Sequence, residues 1–487
     1  MVLPEAFENY TRAMMGDDLF AHFAHSMQQD ATAFVRLNHY KCPTAKMALA
    51  ASKVPWYEYG YALDARPAFT FDPLFHAGLY YVQEQSSMFL AQVLRQFVQS
   101  PVRMLDMCAA PGGKSTLARL ELPKGSTLVC NEPNRSRVQI LNENIQKCGH
   151  PEVMVTNNYP KEIRQSGLKF QVILCDVPCS GEGMFRKNAN AIDEWSVDNV
   201  NKCQQLQREI VAEAWQCLEP GGLLIYSTCT FNTKENEENV AWICQELGAT
   251  TLKVKVEEDW NIMGNLLSAP ATDDTTNKES KYSSAFNVYR FVPGYQDKPG
   301  NIYGEGLFMA VLRKEGTSQP MTEKTSKQKV RHQLSDNGQS IPTHWLQESQ
   351  HFNFTWVKNE LWAIPPSLQS QYEQAARSLR VVAAGINLLQ LKGRSFIPSQ
   401  GLALSSCLSP TAFPRIELSY ANAIQYLGRN TITLPPNTPQ GFILVTYQNV
   451  ALGFVKNMGN RANNLYPSEW RIRSTHSPEN IPQIITV

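Results

Sequence analysis

No stretch of this 487-residue chain approaches the ~18 uninterrupted apolar residues of a membrane-crossing helix, and the first ten residues carry Glu5 and Glu8 where a secretory leader would carry its apolar centre. Neither a membrane span nor export is expected, and the expected compartment is the cytoplasm. Charge of one sign is lacking too. Forty-five Lys and Arg against 44 Asp and Glu leave a formal +1, which by itself argues for no class of partner. The 11 cysteines form no regular framework, so a disulfide scaffold is excluded and most should be reduced thiols. Cys175 and Cys179 have no second pair at ligand spacing, so no metal site is expected. There is no repeat of fixed period. What remains is 43% hydrophobic and 18% charged residues, enough to bury cores in about three domains at roughly 150 residues each.

The balanced charge conceals an asymmetry. From Trp345 to Val487 there are 11 basic and 6 acidic residues with no Asp, net +5, which leaves net −4 for residues 1–344. The last quarter therefore has the basic balance of an anion-binding module. Residues 1–100 are aromatic-rich, with Phe7, Met14, Met15, Phe20 and Phe23 near helical spacing, and predict a mostly helical α+β domain. From Pro101 short apolar runs alternate with helical stretches, the pattern of a parallel sheet with covering helices. Val102 to Met107, Thr127 to Cys130, Gln171 to Cys175 and Leu223 to Ser227 read as its strands. Leu206, Ile210, Val211, Ala214 and Leu218 read as one apolar helix face stopped by Pro220-Gly221-Gly222. Residues 101–314 are thus expected to be an α/β domain, 315–340 a polar linker, and 341–487 a mixed or mostly β domain.

Cys108-Ala109-Ala110-Pro111-Gly112-Gly113-Lys114 joins the first strand to a helix start, the place where open α/β sheets bind nucleotide-like ligands. A phosphate-cradling loop would need a Gly where Cys108 stands, and Pro111 removes an amide from the cradle. The glycine spacing of a dinucleotide site is absent. S-adenosylmethionine, which needs close backbone approach but brings no phosphate, fits better. Glu132, 19 residues after Gly113 at the end of the second strand, is placed to accept both ribose hydroxyls.

Two thiols, Cys179 in Asp176-Val177-Pro178-Cys179 and Cys229 in Ser227-Thr228-Cys229, follow the carboxyl ends of two predicted strands. A single such cysteine is ordinarily a small buried hydrophobe. Two beside a methyl-donor loop have a chemical use. Carbon 5 of cytosine is a poor nucleophile until a thiolate adds to carbon 6, and afterwards the proton on carbon 5 must leave so that the adduct can be eliminated. Asp176 could hydrogen-bond the exocyclic amine and ring nitrogen of the base.

With Gly78-Leu79-Tyr80-Tyr81-Val82-Gln83-Glu84, the 108–114 loop, Asp176 to Gly181 and Tyr226-Ser227-Thr228-Cys229-Thr230, the chain resembles the Sun/Nop-type RNA cytosine-5 methyltransferases, most of all their RsmF-type bacterial 16S rRNA branch. The resemblance implies a Rossmann-like S-adenosylmethionine-dependent domain acting on RNA, with 16S rRNA or the small ribosomal subunit as partner. It implies Cys229 as nucleophile, Cys179 in product release, and Cys108 to Lys114, Glu132 and Asp176 around the donor. Many members carry an acid near the adenine after the third strand of the family's own sheet, which here falls between Cys130 and Gln171. This chain reads Val155-Thr156-Asn157-Asn158, and Asn157 is expected to substitute with its amide. Ala451 to Lys456 and Tyr466-Pro467 resemble a PUA-like RNA-binding tail. A tRNA substrate, or a non-catalytic ribosome-assembly factor with a vestigial donor site, are the alternatives.

Overall fold

The structure is a computed structural model that describes residues 2–266, 286–295, 304–317, 340–474 and 483–487. Most of the expected 315–340 linker lies outside the described residues. The middle of the chain builds a nine-stranded sheet. Its parallel centre runs Leu218–Thr228, Phe170–Asp176, Arg103–Asp106, Thr127–Asn131, Val153–Thr156. These strands are almost continuously buried, as required when helices cover both faces. Strand order reverses beside Arg103–Asp106, and the crevice at the carboxyl ends of such strands is the ligand position of this architecture. Leu307–Lys314 adds antiparallel to Leu218–Thr228, and Ala249–Thr251 and Val288–Phe291 pair with it in turn.

Local chemistry explains the helices that frame the crevice. Arg135–Cys148 starts where the Asn134 side chain accepts from the Ser136 and Arg137 amides at 2.9 and 3.2 Å, and ends at Gly149 in the left-handed region. Val197–Cys217 starts at Ser196, whose hydroxyl accepts from the Asn199 amide. Its Ile210, Val211 and Ala214 are buried as expected, but Leu206 is exposed and Leu218 already opens the next strand. The buried face runs instead from Val200 through Gln207 to Ile210, Val211, Ala214 and Trp215.

The amino-terminal region is the expected α+β domain, with its sheet now resolved strand by strand. Helices Glu5–Met15 and Asp17–Met27 are present, and residues 33–82 form a four-stranded antiparallel sheet of Ala33–Leu37, Ala51–Val54, Tyr57–Leu63 and Tyr80–Val82. Much of the aromatic content of this region belongs to strand residues such as Tyr57 and Tyr80, packed into shared cores. Further on are two four-stranded sheets, Asn353–Val357 to Ser395–Pro398 and Arg415–Glu417 to Ala462–Asn464. Ile443 and Val445 of the second share a core with Val35 and Leu37 of the amino-terminal sheet.

Part of the segment after residue 341 packs on the catalytic sheet. The strand Val381–Ala384 pairs antiparallel with Val153–Thr156, and Leu368, Ala375 and Leu379 lie in the same core as the central strands. An edge strand as apolar as Val153–Thr156 needs a cover, and a segment more than two hundred residues later supplies it.

Candidate active site

Asp106 ends the first central strand, and the loop that follows is locked to its neighbours by main chain: the Met107 amide donates to Leu174 O at 2.9 Å and the Ala109 amide to Asn131 O at 2.8 Å. Arg137 and Asn144 reach over from the helix Arg135–Cys148 to donate to Ala110 O and Pro111 O, each at 2.8 Å. Gly112 has φ +111°, a conformation that glycine adopts at least cost, and a Cβ there would meet Leu141 Cδ1 at 3.2 Å. Gly113 differs. Its φ is ordinary, and an added Cβ would meet the Tyr81 ring at 3.2 Å and the Gln83 side chain at 3.7 Å. The amino-terminal domain therefore lies over Gly113. Arg36, fully buried, ties the two together by donating to Gln83 Oε1 and Thr116 Oγ1, each at 2.7 Å.

Asp106 is buried, accepts from the Ser115 hydroxyl at 2.6 Å, and leaves Oδ1 without a hydrogen-bond partner. Burial raises its carboxyl to about 7. Burial likewise pushes the Cys108 thiol up. Glu132 is buried at the end of the second strand, accepts from the Asn134 amide at 2.9 Å, and has Arg137 at 3.7 Å. Asn157 lies beside it: its Nδ2 donates to Glu132 O and Pro133 O at 2.8 and 2.9 Å.

The two thiols of the neighbouring strand ends meet, with Cys179 Sγ 3.1 Å from Cys229 Sγ. That contact, and then burial, push the Cys179 thiol well above its ordinary value. Asp176 stands on the same rim. Lys114 Nζ donates to its Oδ2 at 2.8 Å and Ser227 Oγ to its Oδ1 at 2.7 Å. Burial alone would lower the Lys114 ammonium, but the Asp176 carboxylate outweighs it and holds the group above its usual value. The crevice thus gathers the 108–114 loop, Glu132, Asn157, Asp176 and both thiols around one group of strand ends.

Sequence reasoning missed the scaffold beneath the thiols. Glu182, buried, accepts from the Thr230 hydroxyl at 2.6 Å, the Phe231 and Asn232 amides at 2.7 and 3.0 Å, and Trp195 Nε1 and Asn232 Nδ2, each at 3.0 Å. The Gly183 amide donates to Cys229 O at 2.7 Å. Glu235 accepts from the Ser180 amide at 3.0 Å, Gln207 Nε2 at 2.6 Å and Asn232 Nδ2 at 2.8 Å, and burial, with Glu182 nearby, raises its carboxyl to about 7. The available signal was the density of acid and amide side chains just after each cysteine motif.

The parallel sheet with its reversal and glycine-bearing first loop defines an α/β methyltransferase of the S-adenosylmethionine-dependent class. A solved structure, that of PH0851, aligns with 64% of this chain and 66% of its own at TM-score 0.51 and 21% identity, which shows the shared fold. The family description "16S rRNA methyltransferase RsmB/F" matches residues 96–312, "N-terminal domain of 16S rRNA methyltransferase RsmF" residues 3–85, and "Methyltransferase RsmF PUA domain" residues 413–472. Ribosomal RNA small subunit methyltransferase F of Klebsiella pneumoniae is 30% identical over 494 residues, and that of Escherichia fergusonii 30% over 499, each alignment covering 96% of both chains. The chain belongs to this family of ribosomal RNA small subunit methyltransferases.

The methyl donor of the class is S-adenosylmethionine, and the residues present fit it. Gly112 leaves open a turn that a side chain would strain, and Asp106 Oδ1 is a buried acceptor with no protein partner. Among the described residues no cluster of metal ligands occurs, and no helix is long and apolar enough to cross a membrane.

Proposed function

We propose that the chain methylates carbon 5 of a cytosine in 16S rRNA through a covalent bond to Cys229, in the cytoplasm. The observation that carries this reading is the pair of sulfurs 3.1 Å apart at two strand ends, beside the Lys114–Asp176 pair. Family membership favours small-subunit rRNA over tRNA, and a vestigial site would not need both thiols and the ion pair.

S-adenosylmethionine would be held by Cys108 to Lys114, Glu132 and Asn157 and would supply an electrophilic methyl group to carbon 5, the sulfur keeping the electron pair of the broken methyl bond and leaving as a thioether. The Cys229 thiolate adds to carbon 6 of cytosine, and the ring electrons move to carbon 5, which becomes the nucleophile. Asp176, held by Lys114 and Ser227, accepts from the exocyclic amine and from the ring nitrogen that takes up a proton in the adduct. Carbon 5 then carries both hydrogen and methyl. Removal of that proton returns the electrons to the ring, and the Cys229 sulfur leaves from carbon 6. Cys179, in contact with Cys229, takes that proton in its thiolate form and so assists the elimination. The surplus of +5 after residue 344 supports a division of labour in which residues 341–487 add RNA affinity to the catalytic 101–314 span and the 1–100 domain.

A denaturing gel with labelled 16S rRNA and donor tests the roles. Cys229→Ala should give neither covalent band nor methylation. Cys179→Ala should methylate and then hold the RNA in a protease-sensitive shifted band. A band from Cys229→Ala and none from Cys179→Ala would reverse the assignment.

A further inference from the structure

Between the matched segments 96–312 and 413–472 lies a stretch that returns to the catalytic sheet. The helix Pro366–Ala375 buries Leu368 and Ala375 in the catalytic core, Gln371 accepts from the Thr127 hydroxyl, and Gln374 Nε2 donates to Ser166 O at 3.0 Å. The strand Val381–Ala384 then sets Val381 opposite Thr156. One residue earlier, Arg380 is delivered to the carboxyl end of the Val153–Thr156 strand, beside the crevice.

Arg380 engages both asparagines there. Its carbonyl accepts from the Asn157 amide at 2.9 Å and from Asn158 Nδ2 at 3.3 Å, and its own amide donates to Asn158 Oδ1 at 3.1 Å. Its guanidinium donates to Asn157 Oδ1 at 2.8 Å. The Asn157 side chain is thereby oriented from both ends, its nitrogen toward the carbonyls of Glu132 and Pro133 and its oxygen toward Arg380. A carboxylate at 157 would aim an oxygen at those two carbonyl oxygens, which explains an amide at this place. The Asn157 oxygen accepts one bond from Arg380 and, as a carbonyl, has a second lone pair.

We propose that Arg380 is a positioning residue of the donor site, holding Asn157 Oδ1 so that its second lone pair accepts from the amino group of the donor's purine. The proposal rests on the reading that Asn157 faces the donor. It makes the far carboxyl-terminal segment part of the methyl-donor site, in addition to any part in binding RNA.

The test is calorimetry on the full chain with S-adenosylhomocysteine and with S-inosylhomocysteine, whose purine carries an oxo group in place of the amine. Wild type should prefer the adenosyl ligand. Arg380→Ala should lose about tenfold in affinity for it, the effect of one lost orienting hydrogen bond, with little change for the inosyl ligand. Arg380→Lys should recover part of the preference. Donor KM should rise by a similar factor while kcat at saturating donor is unchanged, and the melting temperature should hold because the Arg380 side chain is exposed. Equal loss for both ligands, or no loss, would overturn the proposal. Asn157→Ala separates the two layers: if it narrows the preference and Arg380→Ala does not, only the role of Arg380 fails. If neither does while Gly112→Val weakens binding of both ligands, the purine lies elsewhere and the reading of Asn157 fails with it.

Discussion

The donor half and the thiol half of the crevice are built by different means. The donor half is mostly main chain from consecutive residues, Asp106 to Lys114, with its turn fixed by the positive φ of Gly112 and by carbonyls that Arg137 and Asn144 hold. The thiol half brings together two cysteines 50 positions apart, and what aligns them is a buried net of Glu182, Asn232, Glu235 and Gln207. Main chain tolerates many side-chain changes as long as its dihedrals are allowed. A buried carboxylate with five donors, as at Glu182, tolerates almost none, because each donor left unpaired costs about 1–3 kcal/mol. The thiol half should therefore be the brittle one.

Glu182→Gln gives the largest expected effect. The amide turns an NH2 toward groups that themselves donate, and we expect a loss of about 3 kcal/mol in urea unfolding, with methylation lost through displacement of the 230–232 segment. Unaltered stability would show that the net is not what holds Cys229. Gly112→Val tests the donor half with a smaller effect, about 2 kcal/mol, since a β-branched residue is strained at positive φ. It should appear as a roughly thirtyfold weaker donor affinity in calorimetry, with the covalent band of a Gly112→Val, Cys179→Ala double variant still formed at saturating donor. If adduct formation is lost at every donor concentration, the two halves are coupled more tightly than their construction suggests.

Per group and per pH unit, the smallest effect is a slope common to both halves. Burial raises Asp106 and Glu235 to about 7, above their unfolded values near ~4. Between about pH 4 and 7 the folded state keeps protons that the unfolded state has lost, so stability falls as pH rises through that window and levels off above it, by up to about 1.4 kcal/mol per pH unit for each group. Asp106→Asn should remove one share of the slope and Glu235→Gln the other. A slope that survives in the double variant would place its origin elsewhere.

How much is legible in the sequence follows from the same contrast. The strands that end at Asp106, Asn131, Asp176 and Thr228 can be read because each is a short apolar run with a turn signal after it, and the loop and both thiols sit directly on those ends. Leu206 misleads because an apolar residue at helical spacing does not say where the partner surface stops. The strands within residues 33–82 are harder to read, because aromatics such as Tyr57 and Tyr80 suit a strand as well as a helix. Nor does the loop's own sequence announce that Gly113 leaves room for the Tyr81 ring of the amino-terminal region.

The sequence by itself determined the order of the central strands and helices, the glycine turn, the place of each thiol and the excess of basic residues at the end, since all of these are properties of neighbouring residues. Only the tertiary structure decided that Arg36 reaches Thr116, that Glu182 carries the segment after Cys229, and that Arg380 meets Asn157 from 223 positions away. The physical reason is that a buried polar group is satisfied by whichever partner the packing brings within about 3 Å, and no periodicity along the chain encodes which edge of a sheet a distant strand will close.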